Sequence, residues 1–231
     1  MSSASERRDV ADAKPATETA PNGEHGSWTH RLARLAVRPL LGTPVTPNQL
    51  TTVRLVTGLL ACALFAVGDR TFDIWGGVIW VVSAFLDRAD GELARIGGKT
   101  TSWGHAYDYA CDTLVNALFF VAVGIGLRGG GLGDYAILLG VVGGGGIVVS
   151  NILSEAFERR LASGMRIYNG GGGFDFDDLL YLLGPAAWLG WLAPILVGAS
   201  IGAPLMALIS WIKLRKLRAN QPASTSSPRA P

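Results

Sequence analysis

From Pro47 onward the chain is a series of long apolar runs broken by short polar or glycine-rich stretches. The first opens at Thr46-Pro47-Asn48-Gln49-Leu50 and continues to about Val67. The second covers about Ile74–Arg95, the third about Gly104–Leu127, and the fourth Tyr135 to about Leu153. From Leu179, Pro185 and Pro194 interrupt the pattern, which divides into a fifth span ending near Trp191 and a sixth from about Ile195 to Ile212. A helix needs roughly 20 apolar residues to cross a bilayer. The pattern therefore predicts an all-α, polytopic membrane protein of about six transmembrane helices. Thr46 is placed to cap the first of them, and Pro47 suits a first helical turn.

The segment before these runs reads differently. In His30–Leu41 (HRLARLAVRPLL), Arg31, Arg34 and Arg38 recur at helical spacing, with Leu32, Leu35, Ala36 and Leu40 between them. This predicts an N-terminal amphipathic juxtamembrane helix on an anionic lipid surface; a basic flank that only fixes topology is the plainer reading. Residues 1–26 are polar and lack the apolar stretch of a signal peptide, so they read as a disordered tail, as do 219–231. Between them lies one membrane domain, residues 27–218.

Composition agrees: 49% of residues are hydrophobic, 16% are charged, and the net charge is only +2. No basic run interleaved with aromatics points to nucleic acid. Cys62 and Cys111 both fall inside predicted spans, so no disulfide framework is implied. The charges also set an orientation. With the N-terminus inside, Arg31–Arg38, Arg95/Lys99, Arg159–Arg166 and Lys213–Arg218 share one side, leaving Arg70 and Arg128 on the other. By the positive-inside rule this describes a multi-pass protein of the cell (plasma or inner) membrane, with both termini and the Ile96–Trp103 loop in the cytoplasm.

Candidate chemistry concentrates between Asp87 and Asp112, DRADGELARIGGKTTSWGHAYDYACD. Four aspartates stand there, near the ends of two apolar helices. Ionisable groups at membrane depth are costly and mark function by default. Asp87 and Asp90 are spaced i, i+3, and Asp108 and Asp112 i, i+4, so each pair shares a helix face. Gly97 and Gly98 break the helix, allowing the two helices to pack antiparallel and bring all four carboxylates together. Such a group repels itself unless a cation lies within it. An all-oxygen donor set suits Mg²⁺, Mn²⁺ or Ca²⁺ rather than zinc, and two carboxylate pairs can hold two ions around a transferring phosphoryl group. A cation transporter that binds its cargo at intramembrane aspartates is the competing class. It fits less well, because the acids sit at span ends beside Arg95 and Lys99.

Asp87, Asp90, Gly91, Ala94, Arg95, Gly104, Asp108 and Asp112 resemble the signature of the CDP-alcohol phosphotransferase (class I CDP-alcohol phosphatidyltransferase) family, D-x2-D-G-x2-A-R-x8-G-x3-D-x3-D, at every fixed position and gap. The resemblance implies a metal-dependent membrane transferase of phospholipid biosynthesis. It would move a phosphatidyl group from a CDP-linked lipid to an acceptor alcohol, an inositol phosphate in one reading, and release CMP. By the same resemblance, Asp87, Asp90, Asp108 and Asp112 match metal ligands for two divalent ions, Mg²⁺ or Mn²⁺. Asp112 also matches the proposed general base. Gly91 and Ala94 match small positions beside the cytidine nucleotide, Arg95 balances charge or meets a phosphate, and Gly104 sits where the second helix begins. Asn48 and Thr51 match a family segment near the donor diphosphate, although a cap and helix start alone would explain them. The expected partners are the donor, the acceptor, the bilayer and a second copy in a homodimer.

Other features keep two readings. Arg54, inside the first span, snorkels or reaches a phosphate. Gly143–Gly146 serve helix packing or a ligand. Arg159, Arg160 and Arg166 bind an acceptor phosphate or only set topology. Asp177 and Asp178 favour a helix N-terminus or meet acceptor hydroxyls, and Asp175 beside them has no assigned role. His105 is near the cluster, where a ligand role is the lesser reading. Arg88 and Glu92 are interfacial charges outside the signature's fixed positions.

Overall fold

The structure is a computed structural model that describes residues 28–160 and 176–220. Its helices are α1 (Trp28–Val37), α2 (Pro47–Val67), α3 (Arg70–Ile96), α4 (Ser102–Gly126), α5 (Tyr135–Glu158), α6 (Leu183–Trp188) and α7 (Leu192–Asn220). Among the described residues four helices are long and apolar enough to cross a membrane: Pro47–Val67, Ser102–Gly129, Tyr135–Glu158 and Leu192–Leu217. Helix α3 has 27 residues, about 40 Å at 1.5 Å per residue, so it also has the length to cross. The predicted polar tails lie outside the described residues.

Local chemistry explains the helix boundaries. Thr46 caps α2 in a reciprocal box: its hydroxyl accepts from Gln49 N, and its own N–H donates to the Gln49 side chain at 2.9 Å. Pro47 takes the first turn as predicted. Gly68 ends α2 with φ +77, a left-handed conformation that glycine adopts without strain. Asp69 then caps α3, accepting from Thr71 N at 2.8 Å. Gly98 (φ +61) turns the chain after α3, and the Thr101 hydroxyl accepts from Gly104 N at 2.9 Å to start α4.

One boundary differs from the sequence reading. The chain forms a 3-10 turn over Phe176–Leu182 and the short α6, and α7 begins at Leu192 and continues to Asn220, beyond the predicted span at both ends. Pro185 and Pro194 lie in the first turns of α6 and α7, where a missing N–H costs nothing, so neither breaks a helix. The 176–188 segment is tied to α3 through side chain–backbone bonds. Trp80 Nε1 donates to Leu180 O at 2.9 Å, Tyr181 Oη to Ala84 O at 2.9 Å, and Arg70 Nη1 to Ala187 O at 2.6 Å.

Helix α2 is the hub, with α3 on one side and α4 on the other; α4 continues to α5 and α5 to α7. An aromatic layer of Phe65, Trp80, Phe119 and Phe120 joins α2, α3 and α4, with ring centroids 4.5–5.3 Å apart. Within the glycine quartet, Gly144 and Gly146 serve packing. A Cβ on Gly144 would meet Ala117 O of α4 at 2.5 Å, and one on Gly146 would meet Ala203 C of α7 at 2.8 Å. These contacts let backbones approach as small residues do in membrane bundles. Leu60, Val141, Ile152, Ile201 and Leu205 remain exposed on the outer faces, where lipid takes the place of a protein partner.

Helix α3 and helix α4 do not pack along each other as the sequence reading expected. Each packs along α2, and they meet through Trp80 and Phe119. Toward the Asp87–Asp112 end a cavity opens between them.

Helix α1 presents three faces. Thr29, His30, Ala33 and Val37 are buried against α3, where Val37 joins Ala89 and Leu93 in a small apolar cluster. Trp28, Leu32 and Leu35 are exposed and apolar. Arg31 and Arg34 form the strip between those faces, and Arg38 follows in the 3-10 turn Arg38–Leu40. A helix forms where the sequence predicts one, but it ends at Val37, short of the predicted Leu41, and gives one edge to α3.

Candidate active site

The cavity has a volume of about 610 Å³ and is walled by α1, α2, α3, α4 and the α3–α4 turn. Its lining includes every site residue expected from the sequence: Asn48, Thr51, Asp87, Asp90, Gly91, Ala94, Arg95, Gly104, Asp108 and Asp112. The i, i+3 and i, i+4 spacings turn the aspartates of α3 and α4 inward. Asp87, Asp108 and Asp112 each offer an oxygen, and the three atoms lie within 4.8 Å of one another. Asp90 is set back: its Oδ2 accepts from the buried Thr51 hydroxyl at 2.7 Å. Thr51 also donates toward Pro47 O at 3.2 Å, so the first turn of α2 aims a carboxylate on α3.

These residues fit a divalent cation. The donors are all oxygens, the choice of hard ions such as Mg²⁺ and Mn²⁺. Asp108 Oδ1 is buried without a hydrogen-bond partner. A buried carboxylate oxygen in that condition is costly unless a cation meets it.

Arg54 corrects the sequence reading. It neither snorkels to the surface nor reaches into the cavity lining; it is 3% exposed. Its guanidinium lies behind the aspartates, with Nη2 2.5 Å from Asp112 Oδ1 and Nε 3.2 Å from Asp87 Oδ1. A charge buried this deeply persists only when paired, and here the carboxylates on both flanking helices pair it. The signal was present in the sequence: Thr51, Arg54 and Gly58 share one helical face, and Gly58 brings α4's Val115 within 2.6 Å of where a Cβ would stand.

The small signature positions have distinct settings. A Cβ on Gly91 would find only Arg95 Nη2, at 3.9 Å, so Gly91 leaves open room on the cavity side. A Cβ on Gly104 would press Thr101 Oγ1 at 2.9 Å and Asn48 Oδ1 at 3.1 Å, so this glycine allows α4 to start beside α2. Asn48 therefore stands between the α4 start and the cavity.

At the other end of the cavity is a network that the sequence reading missed. Glu92 is 4% exposed and Arg88 8%, so these are not the interfacial charges expected, and His30 is buried with them at 9%. Glu92 Oε1 lies 2.7 Å from His30 Nδ1 and 2.9 Å from Arg95 Nη2. Arg88 Nη1 donates to His30 Nε2 at 2.9 Å. Arginine only donates, so at the shorter contact Nε2 accepts and Nδ1–H donates to Glu92; the 3.3 Å approach of Arg95 Nη2 to Nδ1 is then a contact of two donors and not a hydrogen bond. The i, i+4 pair Arg88/Glu92 was readable on α3, but nothing in the sequence tied it to His30 across 62 positions.

Farther out, His105 Nε2 is 3.7 Å from Glu155 Oε1, and Arg159 Nε donates to the same oxygen at 2.8 Å. Arg160 is exposed. Arg166 and Asp175 lie outside the described residues, as do the side chains of Asp177 and Asp178. Cys62 and Cys111 are buried and free.

Comparison with known proteins agrees with this geometry. Residues 44–159, half of the chain, match the CDP-alcohol phosphatidyltransferase family model. Archaetidylinositol phosphate synthase of Pyrococcus horikoshii is 39% identical over 89 residues, 38% of this chain and 46% of that protein. Phosphatidylinositol phosphate synthase of Corynebacterium glutamicum is 33% identical over 106 residues, 44% of this chain and 46% of that protein. In both, the match spans less than half of the relative's own length. A crystal structure of Mycobacterium tuberculosis phosphatidylinositol phosphate synthase with CDP-DAG bound superposes with a TM-score of 0.57 at 21% identity, covering 82% of this chain and 92% of that one. The same enzyme with manganese and citrate gives a TM-score of 0.51 at 22% identity, covering 83% and 87%. At those identities the likeness establishes the fold. With the full aspartate signature on one cavity and the family model matched across α2 to α5, the chain belongs to the CDP-alcohol phosphatidyltransferase family.

Proposed function

We propose that this protein transfers a phosphatidyl group from a CDP-linked lipid to an inositol-phosphate acceptor, releasing CMP at the cytoplasmic face of the membrane. The observation that carries the reading is the convergence of Asp87, Asp90, Asp108 and Asp112 on one cavity, three of them offering oxygens within 4.8 Å of one another. The named activities of the relatives support the acceptor: two matched proteins are synthases of inositol phosphate-bearing lipids. The solved structure with CDP-DAG supports the donor, and the one with manganese supports the metal.

In this reading Asp87, Asp90, Asp108 and Asp112 hold two divalent ions, Mg²⁺ or Mn²⁺. When bound, the ions neutralise the donor diphosphate and the charge on departing CMP. Asp112 takes the proton of the acceptor hydroxyl. The acceptor oxygen forms a bond to the phosphatidyl phosphorus, the bond to CMP breaks, and CMP leaves with that electron pair. Gly91 and Ala94 leave room for the nucleotide, and Asn48 and Thr51 border the diphosphate. Arg159, Arg160 or Arg166 binds the phosphate of the acceptor. The catalytic domain spans residues 27–218 and works as a homodimer.

The test is CMP release from CDP-diacylglycerol by purified protein with Mg²⁺, across inositol phosphate, glycerol phosphate, inositol and amino alcohols. Release with inositol phosphate well above the others is expected. Preference for an uncharged alcohol would move the acceptor assignment; no release with any acceptor would overturn the reading.

A further inference from the structure

The cavity has two chemically opposite ends. The aspartates occupy one; His30 and Arg34 of α1, Arg88, Glu92 and Arg95 of α3, and Lys99 of the turn occupy the other. Reaction chemistry at the aspartates does not account for Glu92, the one acid at the basic end among the described residues. Burying a carboxylate there costs free energy, and an apolar side chain of similar size would pack at least as well. Its contacts show what it accomplishes. Glu92 Oε1 is 2.9 Å from Arg95 Nη2, and Gly91 O accepts from Arg95 Nε at 3.3 Å. Arg34 Nε is 3.6 Å from Glu92 Oε2. The Arg95 side chain is 54% exposed, so without these bonds it would sample many rotamers over the cavity. Glu92 is in turn fixed by His30 Nδ1–H, whose ring is set by Arg88 at Nε2.

We propose that Glu92, anchored by His30 of the juxtamembrane helix, is a positioning residue: it holds Arg95, with Arg34 beside it, as the anion-binding end of the cavity for the phosphates of the CDP-linked donor. The inference rests on the proposed donor and adds α1 to the binding machinery. A guanidinium held in place loses less freedom when it binds phosphate than one that must first be ordered. The helix that lies in the interface therefore sets donor affinity through two side chains, and the anion it prepares for is the nucleotide diphosphate. The phosphate of the acceptor is the other source of the same chemistry, and separate Michaelis constants distinguish the two.

The experiment uses the full-length protein in detergent with Mg²⁺, and the variants Glu92→Gln, His30→Ala, His30→Asn and the double variant Glu92→Gln/His30→Ala. CMP release gives kcat and both KM values; calorimetric titration with CDP gives affinity independently of turnover. Glu92→Gln and His30→Ala are expected to raise the donor KM and weaken CDP binding about tenfold, the scale of one charge-assisted hydrogen bond. The acceptor KM should stay put and kcat should fall far less. His30→Asn keeps an N–H donor near the Nδ1 position and should recover most of the loss. The double variant should be little worse than Glu92→Gln alone, because both act through one arginine. Unchanged CDP affinity in both single variants, with a lowered melting temperature, would overturn the proposal and leave the network a structural strut. A rise in acceptor KM alone would overturn the donor assignment. Failure of the unmodified protein to bind CDP or release CMP would instead overturn the function on which the inference rests.

Discussion

Arg54→Met removes the only cation that touches both Asp87 and Asp112 among the described residues while keeping most of the side-chain volume. The guanidinium is 2.5 Å from Asp112 and 3.2 Å from Asp87. At an effective dielectric of about 20, each such contact has a gross attraction of roughly 5–7 kcal/mol. Burying Arg54 offsets much of this, so the useful figure is the cost of breaking a buried pair, about 3–5 kcal/mol. The aspartate side chains keep 24% and 31% of their exposure, and water can solvate them partly, which lowers the cost to about 2–4 kcal/mol. The loss should depend on metal. A divalent ion at 100 times its dissociation constant stabilises the folded state by about 2.7 kcal/mol. It also binds more tightly to a site that has lost a positive charge. Thermal unfolding in detergent, in EDTA and in saturating Mg²⁺, measures both effects. The variant should melt well below the unmodified protein in EDTA, and most of the gap should close with Mg²⁺. Equal melting in EDTA would show that Arg54 does not neutralise the aspartates. A gap that Mg²⁺ leaves unchanged would show that its role is packing rather than charge.

Other expectations follow from particular contacts. Gly144→Ala places a methyl 2.5 Å from Ala117 O and should cost about 1–3 kcal/mol, whereas Gly145→Ala, with nothing within 4 Å, should be near neutral; unfolding of the two variants side by side checks this. In intact cells Lys99→Cys should resist an impermeant thiol reagent while Arg128→Cys labels, and the opposite pattern would invert the topology. Replacing Arg159, Arg160 or Arg166 by Ala should raise the acceptor KM more than the donor KM in at least one case, because uniform binding is lost; unchanged acceptor kinetics in all three would make them topological charges.

The amount of this architecture legible in the sequence varied with the range of the interaction. Periodicity and the Thr46/Pro47 and Gly97/Gly98 punctuation placed α2 through α5, since caps and turns are local. The four aspartates were legible because two short spacings force each pair onto one helix face. Arg54 was harder to interpret: the chain shows a charge in a span, but its partners lie 33 and 58 positions away on two different helices. Glu92 and His30 show the same difficulty, since their contact depends on how α1 settles against α3, which no spacing encodes. The 176–188 segment misled for a local reason: Pro185 and Pro194 read as interruptions, yet each occupies a first turn, where proline is at home.

The most direct test of the central claim is metal-dependent donor binding and CMP release measured together on the unmodified protein, Asp87→Asn and Asp112→Asn. The unmodified protein should release CMP from CDP-diacylglycerol in Mg²⁺ and not in EDTA. Asp87→Asn should lose metal-dependent binding and turnover together. Asp112→Asn should still retain the CDP-lipid in Mg²⁺ while CMP release falls by roughly 10² or more, the scale of a lost general base. Near-normal turnover in Asp112→Asn would remove it as the base. Divalent-ion flux in the unmodified protein without any CMP release would contradict the account as a whole.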